Sequence, residues 1–141
     1  MKRKKIYAVI DTNVIVSGLI TNNPLSPTKI VLENLMNKSI IPLYCEEVLQ
    51  EYSEVLCRDK FCLPEGKIEK VLALIKSDGI SSKRVPSKEA FPDPKDVVFY
   101  EVALSKEDSY LVTGNIKHFP KVDFVVTPAE MLAIINENEL K

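Results

Sequence analysis

Apolar residues along the chain form short solid blocks that alternate with stretches spaced three and four apart. Ile6 to Ile10 is a solid apolar run, which predicts a strand buried on both faces. Asn13 to Leu19 reads as a short helix, followed by a proline-broken loop. Ser26-Pro27 supplies an N-cap with proline at the first helical position, predicting a helix through about Met36. Ile40 to Tyr44 is the second predicted strand. From Cys45 to about Leu56, the residues Val48, Leu49, Tyr52, Val55 and Leu56 fall on one helical face. Glu65 to Lys76 repeats that spacing with Ile68, Val71, Leu72 and Ile75. Gly79 to Val85 is a weaker strand, and Asp93-Pro94 opens a helix to about Leu104. Tyr110 to Thr113 and Phe124 to Val126 are strands, and Thr127-Pro128-Ala129-Glu130 is a capping box that starts a helix to about Glu137.

Strands separated by helices require right-handed crossovers, and so predict an α/β fold with a mainly parallel sheet covered on both sides. The length of 141 residues suits one domain spanning residues 1–141, with no repeat and no linker. In such sheets ligands bind beyond the carboxyl ends of the strands, near the reversal of strand order.

Composition narrows the setting. Hydrophobic residues at 45% and charged residues at 28% describe a packed globular chain. The basic start Met1 to Lys5 has the flank of a signal peptide, but its apolar run ends at Asp11, so a first strand and a soluble, cytoplasmic protein are expected. No stretch approaches the roughly 20 apolar residues of a membrane span. The cysteines Cys45, Cys57 and Cys62 are odd in number and favour reduced thiols, and with His118 the sole histidine they support zinc poorly. A net charge of −1 gives no global attraction for nucleic acid, so any binding must be local. Basic residues do cluster at Lys2 to Lys5, at Arg58 with Lys60, at Lys83-Arg84 with Lys88, and at Lys117 with Lys121, each of which also reads as a solvated surface.

Candidate chemistry lies where the apolar runs end. Asp11 follows the first strand directly, either as a helix N-cap or as a carboxylate at the sheet's edge. On a helix advancing about 100° per residue, Glu51 falls about 60° from Val48, closer to the apolar arc than Glu47 or Glu54. It reads either as a flanking acid reaching water or as an inward one. Asp96 precedes Phe99 and Tyr100 on an apolar face and also suits the first turn of a helix capped by Asp93. Val112-Thr113-Gly114-Asn115 ends a strand in polar groups, with a glycine that allows a sharp turn. Asp11, Glu51, Asp96 and Thr113 to Asn115 come from four separate segments, all of which are expected to converge on one edge of the sheet. Several ionised carboxylates need positive charge beside them, which fits a hard, oxygen-seeking cation such as Mg²⁺ or Mn²⁺.

At these residues the sequence resembles the PIN-domain nucleases, above all the small prokaryotic PIN proteins assigned as toxins of toxin–antitoxin pairs. The shared features are Asp11-Thr12-Asn13-Val14 after an apolar strand, the helix Glu46 to Tyr52, Asp93-Pro94-Lys95-Asp96 running to Ala103, and Tyr110 to Asn115. The resemblance implies a three-layer αβα fold on a five-stranded sheet with the first strand beside the fourth, and metal-dependent cleavage of single-stranded or structured RNA. It assigns Asp11, Glu51 and Asp96 to the acidic positions of the family pattern and implies an antitoxin protein as partner. The fourth position, commonly Asp, is Asn115 here, which bears on a second metal and on activity itself. Asp93 is a substitute ligand or a cap. The resemblance, with the broad apolar faces of the short helices, also leads to the expectation of a homodimer.

The chemistry expected is metal-assisted phosphodiester hydrolysis with the acids as ligands. Asn13, Ser17 and Thr113 are accessory groups that line the site or carry waters, and His118 is either a phosphate contact or an ordinary histidine. A receiver domain would need an Asp after the third strand, and an aspartyl phosphatase would need Asp where Asn13 stands. The serious rival is a PIN-like module that binds nucleic acid or a partner protein without cutting.

Overall fold

The computed structural model describes residues 5–139. Of the predicted basic run Lys2 to Lys5, only Lys5 lies among the described residues. Strand β1 (Ile6–Ile10) is buried except at Tyr7 and occupies the centre of the sheet. β2 (Ile40–Tyr44) pairs along one side of it, in register from Ile6 with Ile40 to Ala8 with Pro42. β4 (Ser109–Val112) pairs along the other side, from Tyr7 with Ser109 to Ile10 with Val112. β3 (Ile80–Ser81) and β5 (Val125–Val126) form the edges, giving a five-stranded parallel sheet in the order β3-β2-β1-β4-β5.

The helices are α1 (Thr12–Ile20), α2 (Pro27–Met36), α3 (Glu46–Leu56), α4 (Glu65–Asp78), α5 (Asp96–Leu104) and α6 (Pro128–Glu139). They flank the sheet in a three-layer α/β arrangement, as the strand–helix alternation predicts, with the first strand beside the fourth, as the family resemblance implies. None is long and apolar enough to cross a membrane, among the described residues.

Local signals explain most boundaries. The Thr127 Oγ1 accepts the Glu130 N–H at 3.1 Å while Glu130 Oε1 accepts the Thr127 N–H at 2.9 Å, so the capping box of α6 is formed on both sides. Ser26 stands at the N-cap of α2, but its hydroxyl bonds the Thr28 hydroxyl at 3.1 Å instead of capping the helix. α1 and α2 approach closely at Gly18, where a Cβ would come within 2.6 Å of the Leu32 side chain and 2.8 Å of the Thr28 carbonyl.

Three local expectations are corrected. The third strand shrinks from Gly79–Val85 to Ile80–Ser81, because after a last bond from the Ser82 N–H to the Tyr44 carbonyl at 2.7 Å the chain leaves the sheet edge and the Val85 N–H turns to the Glu101 carbonyl. α5 begins at Asp96, not at Asp93. Asp93 Oδ1 accepts the Lys95 N–H at 2.9 Å and its carbonyl accepts the Asp96 N–H at 3.1 Å, a turn that delivers the chain to the helix without being part of it. Gly114 has no positive φ, so the exit from β4 does not depend on glycine's backbone freedom.

Candidate active site

β1 and β4 mark where strand order reverses, and beyond their carboxyl ends lies an open cleft of about 450 Å³. Asp11, Glu51, Asp96, Asn13, Ser17, Asp93 and Asn115 all line it. Thr113 is fully buried beneath the cleft, and His118 stands behind Asp96. All nine sequence-predicted residues are thus gathered at one end of the sheet.

Asp11 is held by the strand that precedes it. Its N–H donates to the Val112 carbonyl at 2.9 Å, continuing the β1–β4 ladder one residue past the strand. By backbone it is the N-cap of α1, yet its carboxylate does not serve as a side-chain cap. Instead Oδ2 accepts the Thr113 hydroxyl at 2.7 Å and the Asn13 amide at 3.4 Å. Burial is the main reason that its pKa rises from 3.8 to about 6. The Thr113 hydrogen bond opposes the rise, and the charges on Asp96 and Glu51 add to it.

Glu51 is half-buried on α3 whereas Glu47 and Glu54 are exposed, so the helical geometry read from the apolar arc matches the packing. Its Oε2 accepts the Thr12 hydroxyl at 3.1 Å. The neighbouring Tyr52 is buried against Phe99, with ring centroids 6.1 Å apart, and its hydroxyl donates to the Ile10 carbonyl. Burial pushes the Tyr52 hydroxyl well above its ordinary pKa. α3 is therefore moored to the end of β1 at the residue beside Glu51.

Asp96 opens α5, and its Oδ2 faces His118 Nδ1 at 3.2 Å. Burial first, and then the charge on Asp93, holds Asp96 above the usual carboxylate range, while His118 works the other way. Asn115 is exposed, with its N–H on Thr113 Oγ1 at 3.0 Å. The Thr113 hydroxyl thereby donates to Asp11 and accepts from Asn115.

The donor set is made of hard oxygens, and the two acids Asp11 and Asp96 are held above the usual carboxylate range by burial and neighbouring negative charge, which is the chemistry that Mg²⁺ and Mn²⁺ favour. Among the described residues no three Asp, Glu, Cys or His side chains stand close enough to form a ready-made cage. Mg²⁺ commonly takes one or two carboxylates and retains several waters, so an open cleft lined by acids fits a partly hydrated ion.

A family model for the PIN domain matches residues 7–117, which include every one of these side chains except His118. The chain belongs to the PIN-domain family. PIN domains are generally nucleases that use divalent metal ions. No curated protein matches the chain.

This PIN domain also carries cleft residues that periodicity did not single out for chemistry. Arg58 and Phe61, after α3, and Lys95, before α5, line the same cleft as the acids. Arg58 was visible in the sequence as part of a basic cluster, but nothing local tied it to Asp11. The Thr12 bond to Glu51 spans 39 positions and has no sequence signal beyond the polar triplet that ends the first strand.

Proposed function

We propose that this PIN domain hydrolyses RNA phosphodiester bonds with Mg²⁺ or Mn²⁺ held by Asp11, Glu51 and Asp96, and that it serves as the toxin of a toxin–antitoxin pair. The supporting observation is that three acids, one just after β1, one on α3 and one opening α5, line one cleft, each oriented by a polar partner: Thr113 for Asp11, Thr12 for Glu51 and His118 for Asp96. A bound divalent ion supplies Lewis-acid polarisation and a water acidic enough to attack phosphorus. Asp11, buried and fixed by two hydrogen bonds, contributes a ligand oxygen whose direction is set before the ion arrives. Glu51 and Asp96 flank it from α3 and α5. Arg58 and Lys95 provide the positive charge at the rim that a polyanion requires. Asn13, Ser17 and Asp93 line the space where substrate or its waters lie.

Asn115 favours a second reading, a PIN module that binds RNA or a protein antitoxin without cutting. Its amide oxygen can ligate a cation but adds no negative charge to balance a second one. A homodimer accords with the exposed apolar side chains Ile20, Leu25 and Met36 on the α1–α2 segment.

One cleavage assay separates the readings. End-labelled single-stranded RNA should be cut by the wild-type protein in Mn²⁺, spared in EDTA, and spared by a folded Asp11→Asn protein. Asn115→Asp should tighten Mn²⁺ binding in calorimetric titration. RNA retention without cleavage selects the binding module, and unimpaired cleavage by Asp11→Asn would overturn the assignment of the site.

A further inference from the structure

Residues 82–95, between β3 and α5, have no regular structure, yet they are fastened by Phe91, whose ring packs on Tyr100 and Phe119 at 5.3 and 5.9 Å, and by Arg84. Arg84 Nε and Nη2 donate to Glu101 Oε1 at 2.8 and 2.7 Å, and Nη1 donates to Glu47 Oε2. Glu101 Oε2 accepts the Ser87 N–H at 2.8 Å, and the Glu101 carbonyl accepts the Val85 N–H at 3.1 Å. The Glu101 side chain is only 10% exposed, so the guanidinium is the counter-charge that its ionised form needs.

The addresses of the two acids matter more than the bonds. Glu47 lies one turn before Glu51 on α3, and Glu101 lies in the second turn of α5, which begins at Asp96. The guanidinium thus spans the two helices that bring Glu51 and Asp96 to the cleft. Tyr52 and Phe99 also join them, through a tilted ring contact at 6.1 Å. An apolar contact of that kind tolerates small rotations, whereas a planar fork on two carboxylates sets both distance and orientation.

We propose that Arg84 is a positioning residue: by bridging Glu47 of α3 and Glu101 of α5, it sets the separation of Glu51 and Asp96 and with it the affinity of the cleft for a divalent cation. The inference rests on the metal reading given above. Its direction runs against simple electrostatics. A fixed positive charge near the cleft repels a cation, so deleting it without moving the acids should tighten binding. Deleting it and releasing the helices should weaken binding.

Mn²⁺ titration followed by electron paramagnetic resonance distinguishes these outcomes, because the free hydrated ion gives a sharp signal that is lost on binding. Well below the unfolding temperature, Arg84→Gln should bind Mn²⁺ about 10-fold more weakly, the low end for groups that hold metal ligands in place. Arg84→Lys keeps the charge but not the fork and should show part of the same loss. Equal or tighter binding by folded Arg84→Gln overturns the proposal. If that variant does not fold, Arg84→Lys decides, since unchanged affinity there indicates a field effect alone. A second arm uses metal-free protein: amides of residues 46–52 and 82–96 should exchange hydrogen faster in the variant while those of α6 do not. A wild-type protein that binds no Mn²⁺ sinks the metal reading. The exchange arm then tests the bridge alone, and unchanged rates overturn it.

Discussion

Asp11 is a carboxylate that folding treats badly until something positive arrives. Its folded pKa of about 6 lies above the free value of 3.8, so the folded chain holds the proton more tightly than the unfolded one. Below about pH 3.8 the group is neutral in both states and contributes nothing. As pH rises toward 6 the unfolded chain ionises first, and stability falls. Above that window the penalty is complete, roughly 3 kcal/mol at 1.36 kcal/mol per pH unit. In EDTA at pH 7.5, Asp11→Asn should therefore melt above the wild-type protein, and the gap should close toward pH 4. Thermal denaturation at the two pH values checks this, and equal melting at both would mean that the carboxylate is better solvated than its burial implies.

At the scale of elements, what could be read from the sequence and what could not divide along a physical line. α3 and α6 were legible because their evidence is local: an apolar arc in one, a reciprocal cap in the other. The same arc also singled out Glu51 as the inward acid of α3. The sequence extends β3 too far because Val85 reads as a strand residue while its N–H goes to the Glu101 carbonyl of α5, a contact across 16 positions that no window detects. Asp93-Pro94 looked like a helix start and is a turn, since a cap and a tight turn use the same acid in the same way. Arg84 was visible only as part of a basic cluster, because its partners lie 37 positions before it and 17 after. The mooring of α3 on β1 predicts a measurable cost. Tyr52→Phe removes the donor to the Ile10 carbonyl in a dry interior and should lower stability by about 1–2 kcal/mol. Urea denaturation reads that difference, and a change near zero would mean that the carbonyl finds another donor.

For the whole molecule, the net charge of −1 limits how nucleic acid can be held. The cleft offers Arg58 and Lys95 beside a group of acids, not a basic face. With about two or three phosphates neutralised, the slope of log affinity against log salt should be only about −1.5 to −2 for single-stranded RNA. Fluorescence anisotropy over a range of KCl concentrations tests this, and a slope steeper than about −4 would place the binding surface elsewhere.

The hydrogen bond from Thr113 to Asp11 joins residues 102 positions apart. A ribosome makes the acid early and its orienting hydroxyl late, and β1 can pair with β4 only after both have emerged. Until then the growing polypeptide has a carboxylate but no fixed place for it. On the activity proposed above, a cell's messages, including the one being translated, stay out of reach of this domain until its fourth strand has emerged.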